Sequence, residues 1–104
     1  VYRLKQLHVH DIIIDPGFGF AKTKEQSFEL LRKMQGFSLL KLPVLAGISR
    51  KGMIHKTLGG TAETALNGTT VLNTMALMNG ARILRVHDVK EAVEAVKLFK
   101  AYQG

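Results

Sequence analysis

Asp11-Ile12-Ile13-Ile14-Asp15-Pro16-Gly17-Phe18-Gly19-Phe20 is the stretch on which the reading of this chain turns. Three isoleucines with no polar residue between them argue for a strand, residues 11–15, buried on both faces as in a parallel sheet. Pro16 forbids a helical continuation, and two glycines let the backbone turn sharply. The strand therefore delivers the Asp15 carboxylate to a sheet end, and the turn sets two phenyl rings beside it. The plan recurs twice. The apolar run 44–48 ends in Ser49-Arg50-Lys51-Gly52, and the run 82–86 ends in His87-Asp88. Three strand ends are expected to contribute to one site.

Helical signals fill the gaps between these strands. Thr23 answered by Gln26 is a capping box and opens a helix over roughly 24–36, with Phe28, Leu30, Leu31 and Met34 on its apolar side and Gly36 as its stop. Residues 53–58 predict a short helical turn broken by Gly59-Gly60. Thr61 caps a second long helix, 62–79, with Glu63 in its first turn and Ala65, Val71, Leu72, Met75 and Met78 facing inward. Gly68 lowers the propensity of that helix, which points to close packing there. Asp88 and Glu91 form another capping box for a last helix over 89–101, with Val89, Ala92, Val93, Val96 and Phe99 as its stripe.

The order is strand then helix, three times, with strand ends roughly 34 to 36 residues apart, the length of a βα unit. Repeated units of this kind give parallel strands with helices outside and chemistry on the carboxyl-terminal rim. The expected class is α/β, one domain over 1–104. Three units do not close a barrel, which takes eight in about 250 residues. Residues 1–7 read as the tail of a helix, and the chain opens on Val1 rather than Met. The expectation is the C-terminal three strands and helices of an incomplete (β/α)8 barrel, its N-terminal half absent.

Composition excludes several classes. There is no cysteine, hence no disulfide framework or thiolate zinc site, which fits a reducing, cytoplasmic setting. No apolar run is long enough for a membrane span. The formal charge of +7 favours anionic partners, but the basic residues are scattered and lack the interleaved aromatics of a nucleic-acid surface. Arg50, Lys51 and Arg85 stand apart because they lie at strand ends.

Each candidate has a structural reading beside a functional one. Asp15 can take two parallel hydrogen bonds from a planar N–H/NH2 edge, or cap its own turn. One phenyl ring is expected inward, with Phe20 the better pocket candidate. Ser49-Arg50-Lys51-Gly52 precedes a helical turn and adds two cations; Lys51 reads as a ligand residue, Arg50 equally as a salt-bridge partner. Arg85 and His87, two apart, share a strand face and form a fork of donors suited to a diphosphate. Asp88 reads as a helix cap. His8, His10 and His55 show no metal-ligand spacing.

Ile13-Ile14-Asp15-Pro16-Gly17-Phe18-Gly19-Phe20, Gly47-Ile48-Ser49-Arg50-Lys51 and Arg85-Val86-His87-Asp88 together resemble the C-terminal part of the dihydropteroate synthases, over about residues 11–99, and Asn67-Gly68-Thr69-Thr70 agrees. The resemblance implies a transferase of folate biosynthesis that joins 6-hydroxymethyl-7,8-dihydropterin diphosphate to p-aminobenzoate. It implies that Asp15 and Lys51 bind the pterin. Gly19, Phe20, Ser49, Arg50, Lys51 and Gly52 would border the p-aminobenzoate pocket, where sulfonamides compete. Arg85 and His87 would bind the diphosphate. Mg2+ is implied, with its ligand in the absent half, as is a homodimer through the last helices. Many family members carry Ser where Gly52 stands here, so a hydroxyl contact to the benzoate is lost. Lacking the upstream half, the piece alone is expected to be inactive. A pterin-binding methyltransferase domain is the near alternative, disfavoured by the Arg85–His87 pair, since a methyl donor has no diphosphate to grip. A non-catalytic association module is the alternative of another class, and nucleic-acid binding a remote third.

Overall fold

A parallel sheet runs through the middle of the molecule. The structure is a computed structural model and describes residues 13–19 and 22–104. Strand β1, Val44–Ala46, pairs in parallel with β2, Ala81–Leu84, in the register Val44 to Ala81, Leu45 to Ile83 and Ala46 to Leu84. On the other side of β1 the Ile14 segment forms a parallel bridge to Val44, through Ile14 N–H to the Pro43 carbonyl at 2.9 Å and Leu45 N–H to the Ile14 carbonyl at 2.7 Å. The three segments thus lie in sequence order and point one way. The expected strand 11–15 is described only from Ile13, and the expected helix tail 1–7 lies outside the described residues. The other strands are shorter than their apolar runs, because the backbone leaves the ladder just before the polar clusters.

Helix α1, Lys24–Lys33, begins at the expected capping box: Gln26 N–H donates to Thr23 Oγ1 at 3.1 Å, and Thr23 N–H to Gln26 Oε1 at 2.9 Å. Gly36 does not stop it. The chain tightens at Met34 into a 3-10 helix that runs to Leu40. Helix α2, Gly52–Leu58, closes on Gly59 in the left-handed region. The second long helix is divided. Thr61 opens a 3-10 turn, Ala62–Thr64, and α3 proper spans Leu66–Met78. Helix α4 covers Val89–Gln103. Among the described residues no helix is long and apolar enough to cross a membrane.

The core gathers Phe18, Leu31, Met34, Val44, Ala46, Ile48, Met53, Ile54, Leu72 and Ala76 between sheet and helices. The inner face of α3 differs from the expected one. Gly68, Thr69, Leu72, Asn73, Ala76 and Leu77 are buried, whereas Val71, Met75 and Met78 are about half exposed. On α4 the buried residues are Ala92 and Ala95, with Val89 and Val93 outside. Gly68 is in close contact as anticipated: a Cβ there would run into Ile54 and Leu58 of α2.

Candidate functional site

Where the Ile14 segment ends, Asp15 Oδ1 accepts the Gly17 N–H at 3.0 Å and so bends its own turn. Gly17 and Gly19 take φ of 74° and 81°, a region that side-chain-bearing residues avoid. Ser27 of α1 pins the turn by accepting the Gly19 N–H at 3.3 Å. Phe18 is buried in the core, the inward ring of the pair; Phe20 lies outside the described residues.

The other oxygen of Asp15 reaches across the sheet. Arg85 Nη1 donates to Asp15 Oδ2 at 3.0 Å, joining the first and third strand ends. Lys51, from the second, donates from Nζ to the Phe18 carbonyl, and its methylene chain passes Gly19 so closely that a Cβ there would sit 3.2 Å from Lys51 Cδ. The structure therefore brings Asp15, Gly19, Lys51 and Arg85 together. Gly47 makes room for this: a Cβ at Gly47 would collide with the Arg85 guanidinium.

The charges interact as this closeness requires. Partial burial raises the Asp15 carboxyl, but the Gly17 N–H and Arg85, by bond and by charge, outweigh it and hold it below the ordinary aspartate value. Burial and then the Arg85 charge push the Lys51 ammonium below the ordinary lysine value, with Asp15 opposing. Both of Asp15's oxygens keep a lone pair for a ligand, and Arg85 keeps donors beyond the one spent on Asp15. The arrangement can hold a planar amide or guanidine edge at the carboxylate and an anion at the cations.

Arg50 points elsewhere. Its backbone adopts φ 56°, and its N–H donates to Thr69 Oγ1 at 3.0 Å. Its guanidinium grips Asp88 through Nε to Oδ2 and Nη2 to Oδ1, each 2.9 Å, and donates through Nη1 to the carbonyls of Ala62 and Glu63. These bonds draw the Asp88 carboxyl down and the Arg50 guanidinium up. The capping box expected at Asp88 is accordingly absent. Asp88 stands at the N-cap position of α4 without a side-chain cap bond, because Arg50 has taken its carboxylate. Gly52 is the first residue of α2, with Lys51 at its N-cap.

Ser49 is buried, and its Oγ lies 2.8 Å from His87 Nδ1 while accepting the His87 N–H at 3.2 Å. Sequence reasoning missed Ser27, and it noted Thr69 only within the resembling stretch 67–70 and not for its bond; both are hydroxyls on helices that fix loop amides, and only their place on the inner helix faces could have signalled this. Among the described residues no group of three or more His, Asp or Glu side chains gathers to hold a metal ion.

Comparison with known proteins bears on this cluster. The family model described as pterin binding enzyme matches residues 2–87. The chain is 43% identical over 100 residues to the bifunctional dihydropteroate synthase/dihydropteroate reductase of Helicobacter pylori, covering 96% of this chain and 26% of that protein. It is 42% identical over 90 residues to the dihydropteroate synthase of Escherichia coli, covering 86% and 32%. Among solved structures, the Yersinia pestis dihydropteroate synthase superposes with a TM-score of 0.92 at 35% identity, covering 98% of this chain and 43% of that one. A Coxiella burnetii dihydropteroate synthase in complex with pteroic acid does so with a TM-score of 0.92 at 39% identity, covering 99% and 39%. The chain thus spans about a quarter to a third of the curated relatives it matches.

Proposed function

The chain belongs to the pterin-binding enzymes, and from that premise we propose that it is the carboxyl-terminal sector of a dihydropteroate synthase, three βα units of a (β/α)8 barrel. In the proposed reaction the amine of p-aminobenzoate forms a bond to the pterin methylene as the carbon–oxygen bond to diphosphate breaks and the amine gives up a proton. The observation that carries the reading is the 3.0 Å contact of Asp15 with Arg85, residues 70 positions apart, beside Lys51. Asp15 would hold the amino-pyrimidinone edge of the pterin and Lys51 its other edge. Arg85 and His87 would meet the charge that grows on the departing diphosphate, which lowers the barrier most where water is excluded. Gly19, Phe20 and the 49–52 loop would border p-aminobenzoate, with sulfonamides as competitors. Arg50 would serve that loop by anchoring it rather than by touching substrate. The Mg2+ would be held by residues outside this chain.

A methyltransferase reading leaves the Arg85–His87 pair without an anion to bind. Dimerisation through α3 and α4 is part of the proposal, supported by the exposed Val71, Met75, Met78, Leu98 and Tyr102 on those two helices. The test is dihydropteroate formation by the full-length protein. Activity in the parent, its loss in Asp15→Asn and Arg85→Ala, and none in the isolated 104 residues are expected. Undiminished turnover in Asp15→Asn would refute the pterin assignment.

A further inference from the structure

We propose that Ser49 is the positioning residue for His87, holding its imidazole so that Nε2–H faces outward as a donor to an anion at the strand ends; this deepens the diphosphate reading and rests on it. The Ser49 side chain is 5% exposed and makes two contacts among the described residues, both to His87: its Oγ is 2.8 Å from Nδ1 and 3.2 Å from the backbone nitrogen. One polarity of the pair gives every donor an acceptor. A backbone N–H only donates, so Ser49 Oγ accepts from it. Among the described residues Nδ1 is the acceptor left for the hydroxyl proton, and in that arrangement the nitrogen is bare to receive it. A neutral imidazole with a bare Nδ1 carries its proton on Nε2.

The two bonds fix the ring as well as its tautomer. One holds the His87 backbone and the other the ring, so an exposed side chain at the end of a strand is kept from turning. The bond to the His87 N–H serves the backbone, but the bond to the ring goes beyond what the fold requires of an exposed side chain. His87 lies at the surface, whereas Ser49, after the buried Ile48, is itself buried. What the hydroxyl adds is a donor of known direction beside Arg85, two residues earlier. An Nε2–H gives a hydrogen bond without surrendering its proton, so Arg85 brings a full charge to the anion and His87 a directed donor. The Ser49 hydroxyl, occupied in this way, reaches the diphosphate through His87.

Two measurements on the full-length protein test this. Long-range 1H–15N spectra of the His87 ring, assigned by its loss in His87→Gln, are expected to show a hydrogen-bonded bare Nδ1 and a protonated Nε2. In Ser49→Ala the Nδ1 signal should move to that of an acceptor without a donor. Titration with inorganic diphosphate is expected to weaken about tenfold in Ser49→Ala, the order of one lost hydrogen bond. The Ser49→Ala/His87→Gln double variant should bind no worse than His87→Gln alone. A protonated Nδ1 in the neutral ring, or losses that add in the double variant, overturns the proposal. If the parent protein binds no diphosphate, the functional reading fails, and the ring spectrum alone decides the Ser49 assignment. The parent spectrum also decides should Ser49→Ala not fold.

Discussion

Asp15 and Asp88 both hold a proton less tightly than a free aspartate, for different reasons. At Asp88 the Arg50 guanidinium bonds lead; at Asp15 burial opposes and is outweighed by the Gly17 N–H and Arg85. A carboxyl with its folded-state pKa below the unfolded value, near about 3.9, contributes its stabilisation fully above that value. The contribution is lost as pH falls through the folded-state pKa, because the unfolded chain takes up its proton first. Stability is therefore expected to fall between about pH 5 and pH 2. Asp88→Asn should flatten that acid limb more than Asp15→Asn. Its carboxylate takes two guanidinium bonds with the side chain 20% exposed, while Asp15 takes one from Arg85 with the side chain 41% exposed. Urea midpoints of the three proteins at pH 7 and pH 3 check the order. Gly47→Ala separates stability from binding at the same site. The nearest atoms to the added methyl are the far end of the flexible Arg85 side chain, which can swing away, so the melting temperature should barely move. Arg85 then leaves Asp15, and diphosphate affinity in the full-length protein is expected to drop about tenfold, the order of one charged hydrogen bond. That Asp15, Lys51 and Arg85 converge was legible in the sequence, since each stands at or near the end of a strand-type run. The partner of Arg50 was not. Asp88 carries a local cap signal, and whether helix amides or a guanidinium 38 residues away wins its carboxylate depends on the tertiary fold.

Helix α3 packs on α2, α4 and β2 through a face on which small and polar residues accompany Leu72 and Leu77, and two substitutions there should act in opposite directions. In Gly68→Ala the new methyl meets the buried Ile54 and also Leu58. Overpacking of a core costs about 1–3 kcal/mol, against a gain of up to about 1 kcal/mol in helix propensity. Net destabilisation of about 1 kcal/mol is expected by urea unfolding. Asn73 is 1% exposed, and its Oδ1 meets no donor among the described residues. An unsatisfied buried carbonyl costs about 1–3 kcal/mol, so Asn73→Leu, of similar shape, should raise the melting temperature by a few degrees. A fall would mean that the oxygen has a partner. The same helix shows where periodicity stops informing. Apolar residues lie on most of its sides, so hydropathy locates the helix but cannot choose the face turned inward, and Val71, Met75 and Met78 were assigned to the wrong one. The Thr23–Gln26 box, by contrast, is a contact within one turn and was readable as written. Gly36 and Thr61 failed as boundary signals because both places hold 3-10 turns, which share the residue preferences of α-helix ends.

The outer side of β2 and the adjoining face of α4 enclose an open groove of about 1010 Å3 lined by Leu84, Val86, Val89, Val93, Val96 and Phe99. Ile83 and Leu84 of β2 are only partly covered, and Leu84 faces this groove. A second apolar surface, with Leu98 and Tyr102 beside Thr70 and Thr74, lies on the α3–α4 side away from the sheet. If the chain is a barrel sector, these surfaces have different occupants: the first receives the preceding βα units, the second another copy. Supplying the upstream part of the full-length protein as a separate polypeptide distinguishes them. Mixed with the unaltered chain, it should recover dihydropteroate formation. Val93→Asp places a carboxylate in the groove and should abolish the recovery while leaving the isolated chain as stable as before, since Val93 is already 44% exposed there. Leu98→Asp, at 73% exposure on the other surface, should leave recovery in place and convert the sedimenting dimer to a monomer. Equal recovery with both variants would show that the groove is not the seam, and the incomplete barrel would then have to close by some other edge.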